Sequence, residues 1–472
     1  MVIGQNIDNV FALQSEYALK LRSSTVNERK EVLKRFITIF EKYTTELVEA
    51  GKKDFNKPEA ESLLSEIFPV IHEAKHTIKH LAKWSKPKKV TATKVSFGTK
   101  SKIIYEPRGV CLIVSPWNYP INLSFCPLIS AIAAGNTAII KPSELTPHLS
   151  KVIANIINEC FDEKHVAVFE GNVDVSLALL EKPFDHIFFT GSPKVGKSVM
   201  AAAAKHLSSV TLELGGKSPV IVDETSNLTK TAGKIVWGKF TNSGQTCIAP
   251  DYLLIHESKL DELINELTNS ITSAYGSDIK NNADYGRIVN SAHTNRIQAL
   301  LNDGVKHAGE IVFGGEIDLD QRYISPTLII GDSTNADFMN SALMQDEIFG
   351  PVLPILSYKN INDAILRINK MPKPLALYVF SENRETIDQV LTQTSSGGSC
   401  INTSIIHFIQ NNLPFGGVNN SGMGSAHGIY GFKDFSHERG VLEDKFTSNH
   451  FLYPPYTSRV KSLIKLIFKF AA

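Results

Sequence analysis

At 472 residues the chain is long enough for two or three domains around a large buried core. Apolar residues make up 43% and charged residues 21%, an ordinary globular balance, and no apolar run reaches the roughly 18 residues that suggest a membrane span. A net charge of +1 excludes a general attraction to nucleic acid or to anionic membranes.

The first ninety or so residues read as helices. "STVNERKEVLKRFITIFEKYTTELVEAGKKDF" places Leu33, Phe36, Ile37 and Phe40 on one apolar stripe. "KPKKVTATKVSFGTKSKIIYEP" then alternates short β-prone runs around Gly98, as an extended hairpin does. From Gly109 the texture becomes strand–helix alternation: "GVCLIVSP", "NTAIIKPS", "HVAVFEG" and "HIFFTGS" are strands, with helices such as "TPHLSKVIANIINECF" between them. "SPVIVDE", "PDYLLIHE" and "PVLPILSY" repeat the pattern in the second half. Such alternation predicts parallel sheets with helices on both faces, here two α/β domains joined near Thr211 to Gly216.

The five cysteines form no C-x-x-C pair, and their odd number speaks against a disulfide framework or a zinc site. The start, "MVIGQNIDNVF", lacks a basic stretch followed by an apolar one, so no secretory signal is expected. Free thiols and no metal fit a cytoplasmic protein.

"GSPKVGKS", Gly191 to Ser198, fits the phosphate-loop pattern G-x-x-x-x-G-K-[ST], and "PVIVDE" offers an acid at a strand end. A nucleoside triphosphatase is therefore one reading. The other is a helix N-terminus that holds a dinucleotide pyrophosphate, with Lys197 and Ser198 on an exposed first turn. At least three β-like runs precede this strand, whereas a phosphate-loop protein commonly opens its sheet with it.

Four further segments carry chemistry. Cys247 in "FTNSGQTCIAPDY" sits among small polar residues and is a nucleophile candidate, against a structural role. Cys111, Cys126 and Cys160 lie in apolar runs, as buried cysteines do. Glu213 in "VTLELGGKSPVIV" ends a strand among apolar neighbours, where desolvation suits it to general-base work; a solvent-facing acid is the plainer reading. Asn118 in "SPWNYPINL" follows a strand's carboxyl end, placed to donate to an oxyanion or simply to close a turn. Lys141, Ser143 and Glu144 in "IIKPSELTP" suit either ribose hydroxyls or a capped helix start.

Together with "FFTGSPKVGK", "EIFGPVLPI", "PFGGVNNSGMG" and "YPPY", these segments resemble the aldehyde dehydrogenase superfamily, specifically its class 3, fatty- and aromatic-aldehyde branch. They occur in the family's order from about Tyr105 to Tyr456. The resemblance implies NAD(P)-dependent oxidation of an aldehyde to a carboxylic acid. It gives Cys247 the nucleophile's role, Asn118 and the Cys247 N–H the oxyanion, and Glu213 the activation of water. Lys141, Ser143 and Glu144 fall to the adenosine ribose, and Gly191, Ser192, Val195 and Gly196 to the pyrophosphate and adenine. Leu214 and Gly215 fall to the nicotinamide, Glu347 and Phe349 to its ribose, and Trp117 joins the cofactor set. A CoA-acylating relative is the alternative within the family, and Glu213 argues against it.

The resemblance further implies a Rossmann-like cofactor domain (1–89 and 107–211), a catalytic domain (212–395) and a bridging or oligomerisation region (90–106 and 396–456) that pairs subunits in a homodimer. Asn419, Ala426 and Ile429 depart from the branch's pattern, while His427 and Gly428 keep it; the departures put substrate preference in doubt. Residues 457–472 form a basic amphipathic tail. Lys461, Lys465 and Lys469 recur every fourth residue, and Val460, Leu463, Ile464, Ile467 and Phe468 share another face. Such a tail packs on a subunit or touches an anionic membrane surface. The aldehyde, and NAD against NADP, stay open; Glu144 should favour NAD by repelling a 2′-phosphate.

Overall fold

In the computed structural model, which describes residues 3–93, 96, 98–445 and 453–471, the N-terminal periodicity becomes helices Ile3–Leu21, Val26–Lys42 and Thr44–Phe55, then Glu59–Ser62, which runs through a π-helical turn, Leu63–Ile67, into Phe68–Trp84. A capping box between Thr25 and Glu28 starts the second helix. Its Leu33, Phe36 and Phe40 are buried as expected; Ile39 completes the stripe, and Ile37 is half-buried. Phe36 and Phe40 meet Phe125, with ring centroids 5.3 and 5.4 Å away, so these helices close one face of the first sheet.

Strands β1 (Lys88–Val90) and β2 (Thr99–Pro107) form the expected antiparallel pair. Next come β3 (Val110–Val114), β4 (Thr137–Lys141), β5 (Val166–Val168), β6 (His186–Gly191) and β7 (Ser209–Leu214), separated by helices. The second half supplies β8 (Pro219–Val222), β9 (Tyr252–His256), β10 (Glu310–Phe313), a small pair β11 (Ile317–Asp318) and β12 (Tyr323–Ile324), then β13 (Thr327–Gly331), β14 (Val352–Tyr358), β15 (Ala376–Phe380) and β16 (Gly398–Ile401). The C-terminal part adds β17 (Gly422–Met423) and β18 (Ser436–Asp444).

Two open sheets result, in the orders β17-β7-β6-β3-β4-β5 and β10-β13-β14-β9-β8-β15-β16. Helices cover both faces, which explains the near-continuous apolar strands. The expectation of wholly parallel sheets needs one correction. β17 pairs antiparallel with β7, and β10 with β13, so each sheet carries one antiparallel edge strand. β7 runs past residue 211 to Leu214, so the first sheet continues to the crossing into β8. β18 lies along the whole of β2, making a three-stranded antiparallel sheet. Parts of the bridging segments, residues 94, 95, 97 and 446–452, lie outside the described residues.

The topology places the functional crevice. From β3 the chain builds outward through β4 to β5, then returns to lay β6 on the other side of β3. The order reverses there, and an open α/β sheet binds ligands beyond the carboxyl ends at such a switch point. Trp117 and Asn118 follow β3, Gly191 ends β6 with Ser192 next, and Glu213 lies near the end of β7.

Candidate active site

Cys247 stands on a loop held in an uncommon backbone shape. After helix Leu228–Phe240, Asn242 and Ser243 take φ of 53° and 52°, and Gly244 follows at 73°. Three successive left-handed residues are costly unless their surroundings fix them. Gly244 is needed there: a Cβ would stand 2.4 Å from the Gly350 carbonyl oxygen.

Polar side chains supply the fixing. Gln245 donates from Nε2 to the carbonyls of Asn242 (2.9 Å) and Arg287 (3.0 Å), and its Oε1 accepts the Val289 N–H at 2.9 Å. The Asn242 N–H donates to Glu61 Oε2 at 2.9 Å. The Asn118 side-chain amide donates to the Gln245 carbonyl at 3.1 Å, and Asn242 Nδ2 returns a bond to the Asn118 carbonyl at 3.0 Å. Asn118 is thus aimed by the loop that carries Cys247, with a second amide N–H left over.

The Cys247 thiol is half-buried where two cavities meet. On one side lies a mainly apolar chamber of about 780 Å³, walled by Tyr119, Leu123, Trp237, Ile405 and Phe415 among others. On the other lies a chamber of about 490 Å³ at the switch point. Trp117, Asn118, Gly191, Ser192, Glu213, Leu214, Gly215, Glu347 and Phe349 all line this second space, which gathers most of the residues read from sequence. Val195 and Gly196 lie in the helix Pro193–Ala204, beyond its capped start; Val195 is exposed, and Gly196 packs on Leu214. Lys141, Ser143 and Glu144 sit outside the chamber's lining, at the end of neighbouring β4. There buried Lys141 pairs with half-exposed Glu144 at 2.5 Å.

Electrostatics single out three groups. Glu213 is buried with neither carboxyl oxygen hydrogen-bonded, and burial, then Asp434, hold its carboxyl well above the ordinary range. Burial, then Glu347 and Glu213, push the Cys247 thiol up to about 12. Burial, then Asp251, lift Glu347 to about 8, against the Gly216 N–H and Lys217. An unpartnered buried carboxyl that shares a chamber with a thiol is a candidate partner for proton exchange with it.

The loop bearing Glu347 is anchored from below. Lys217 pairs with Asp251 and donates to the carbonyls of Leu343 and Asp346, both at 2.9 Å. Asp251 Oδ2 accepts the Ile348 N–H at 2.9 Å, and Arg296 donates to the carbonyls of Glu347 and Ile348. Gly215 permits the close approach: a Cβ there would meet the Glu347 carboxyl oxygens at 2.3 Å.

The triphosphatase reading fails on geometry. Ser192 caps the helix and Pro193 begins it, so Gly196, Lys197 and Ser198 are helical residues, the last two exposed on its surface. Asp223, the acid of "PVIVDE", lies in the other sheet and accepts bonds from Thr225, Ser226 and Ser381. Among the described residues no cluster of three or more His, Cys, Asp or Glu side chains could hold a metal ion. Sequence reasoning missed Glu61, Gln245, Lys217 and Asp251. Gln245 alone gave a signal, as a long amide inside the small-residue loop.

A family model described as "Aldehyde dehydrogenase family" matches residues 5–441. The 4,4'-diaponeurosporen-aldehyde dehydrogenase of Staphylococcus aureus is 46% identical over 449 residues, 95% of this chain and 96% of that one. The "Aldehyde dehydrogenase, dimeric NADP-preferring" of Rattus norvegicus is 44% identical over 389 residues, 82% of this chain and 84% of that one. Family 3 aldehyde dehydrogenases of a slime mould and of mouse also match, at 40 to 42% identity. The substrate-bound structure of Staphylococcus aureus AldH superposes with a TM-score of 0.92 at 45% identity, over 98% of this chain and 99% of that one.

Proposed function

This chain belongs to the aldehyde dehydrogenase family, in its class 3 branch, and from that premise we propose that Cys247 carries an NAD(P)-dependent oxidation of an aldehyde to its carboxylic acid. The observation that carries the assignment is the position of its thiol, at the junction of two chambers, one of which it shares with the unpartnered carboxyl of Glu213.

Residues 1–89 and 107–211 serve the cofactor and 212–395 the chemistry. A nicotinamide dinucleotide fits the switch-point chamber on features already described. Glycine at 215 leaves room beside Glu347, and the start of the Ser192-capped helix, Ser192 to Lys194, lines the crevice. Trp117, Gly191, Ser192, Leu214, Gly215, Glu347 and Phe349 would hold it there, with Val195 and Gly196 on the same helix and Lys141, Ser143 and Glu144 toward the ribose. Bound there, it would supply the hydride acceptor for oxidation of an aldehyde held on Cys247 to a thioester. The Lys141 ammonium offsets the Glu144 charge, which supports use of both NAD and NADP.

The remaining steps fall to the chain itself. The Cys247 sulfur bonds to the carbonyl carbon once its proton has gone to a neighbouring carboxylate, and the Asn118 amide and Cys247 N–H donate to the oxygen that becomes anionic. Glu213 as carboxylate takes a proton from water, whose oxygen attacks the thioester carbon; the Cys247 sulfur leaves and the acid is freed. A raised Glu213 makes a stronger base than an exposed carboxylate. Its presence disfavours transfer of the acyl group to CoA.

Cys247→Ala should abolish aldehyde-dependent reduction of NAD(P), and retained turnover would remove the mechanism. Glu213→Gln should give one burst of reduced cofactor per site and then stall. Full steady-state turnover in that variant would take the base's role from Glu213.

We also propose a cytoplasmic homodimer, supported by the five free cysteines and by the word "dimeric" in the rat relative's name. No described helix is long and apolar enough to cross a membrane. The helix Ser458–Ala471 keeps Lys461, Lys465 and Lys469 exposed, which supports weak contact with anionic membrane surfaces. Co-sedimentation with anionic vesicles that survives deletion of 457–472 would exclude it.

A further inference from the structure

The stretch "AHGI" and one buried carboxyl have no part in the reaction above. His427 lies in the wall of the apolar chamber that opens onto Cys247. No lysine or arginine lines that chamber among the described residues, so His427 is its single basic side chain. The residue is 9% exposed and holds a φ of 68°, a conformation a non-glycine residue adopts at a cost and keeps where its surroundings impose it. Three contacts impose it. Ala426 pairs backbone to backbone with Phe415, the Phe415 ring meets the imidazole edge-on at 5.5 Å, and the Gly428 N–H donates to Glu73 Oε1 at 2.8 Å.

Glu73 is 1% exposed on the helix Phe68–Trp84. Its second oxygen, Oε2, has no hydrogen-bond partner and stands 3.6 Å from His427 Nδ1. An unpaired buried carboxyl oxygen is rare and asks for an explanation. The His427 ring beside it lines the apolar chamber. A ring whose Nδ1–H points at Glu73 keeps Nε2 as an acceptor for a hydroxyl in that chamber. The other charged groups of the chamber wall, Glu61, Glu266 and Asp284, are all acids and disfavour an anionic guest.

We propose that His427, oriented by Glu73, forms a subsite for a hydroxyl borne by the aldehyde away from its reacting carbon. The proposal rests on the aldehyde dehydrogenase reading and deepens it. His427 determines specificity, and Glu73 is a positioning residue that acts through it.

The test is a ladder of ω-hydroxyalkanals against n-alkanals with the same number of heavy atoms, read as the ratio of kcat/KM within each protein. The wild type should prefer the hydroxylated aldehyde at one or more chain lengths by roughly tenfold, the worth of one buried hydrogen bond. His427→Phe should bring that ratio to one or below. Glu73→Gln should lower it through KM, with kcat ratios unmoved, which a general packing defect would not do. His427→Asn, whose amide can still bond a hydroxyl, should retain part of it. Because both aldehydes are compared in one protein, partial misfolding of a variant cancels. Oxidation of n-alkanals by the wild type reads the underlying activity separately, and its absence would remove the enzyme reading and the subsite with it. Brisk alkanal oxidation with a ratio near one at every length overturns the subsite alone, as does a preference that persists in His427→Phe.

Discussion

At the scale of single residues, the site joins groups whose ordinary charge states are suppressed. Glu213, Glu347 and Glu61 are all raised by burial, the last two to about 8 and about 7. The folded chain therefore keeps protons that the unfolded chain sheds above its ordinary glutamate value of 4.5. The stability these groups contribute is full below that value and is lost as pH rises through their folded values. Glu213→Gln removes one such group. Its thermal midpoint should exceed that of the wild type by a margin that grows as pH rises above the ordinary glutamate value of 4.5. A margin that does not change with pH would mean that Glu213 is ionised and solvated in the folded protein. The hydrolytic step should show the matching trend in activity, failing as pH falls and Glu213 takes up its proton.

At the scale of elements, the loop 341–349 and the turn from β7 to β8 are one device, assembled around the Lys217–Asp251 pair. Lys217→Met leaves Asp251 buried without its cation, which should cost about 3–5 kcal/mol. Because the same lysine holds the carbonyls of Leu343 and Asp346, KM for NAD should rise along with the loss of stability, read by denaturant unfolding and initial rates. Gly215→Ala separates the two effects. The three atoms nearest its Cβ all belong to the Glu347 carboxyl, so cofactor KM should rise with little change in unfolding midpoint. This layer was poorly legible in the sequence. Cys247, Asn118 and Glu213 showed themselves because each sits in a short stretch whose composition suits its chemistry. Lys217, Asp251 and Glu61 look like ordinary surface charges until distant segments fold over them. β17 is a Gly-Met dipeptide that no periodicity marks, and the antiparallel edges β10 and β17 depend on partners that local sequence does not name.

At the scale of the whole molecule, strand–helix alternation was enough to give two open sheets, because helix-covered strands must be apolar on both faces. It also placed the crevice, since the motifs fall at strand ends on both sides of the switch point. The tail and the long β2–β18 pairing stand apart from both sheets. Deleting residues 457–472 should leave kcat unchanged and abolish vesicle binding, measured side by side on one preparation. Loss of catalysis without any change in vesicle binding would instead place that helix against the catalytic body.

One small pairing has a consequence in time. Glu213 sits opposite Gly422 in the β7–β17 pair, and the Leu214 N–H donates to the Ser421 carbonyl at 3.0 Å. The strand that bears Glu213 is thus finished by residues that follow the entire second sheet in the chain. A nascent polypeptide still lacking them has the Cys247 loop but an unsupported edge at Glu213. Such long-range closure comes late in folding. During refolding from denaturant, recovery of thioester hydrolysis should lag behind recovery of helical signal, so a newly made chain stays chemically silent until its last strands are in place.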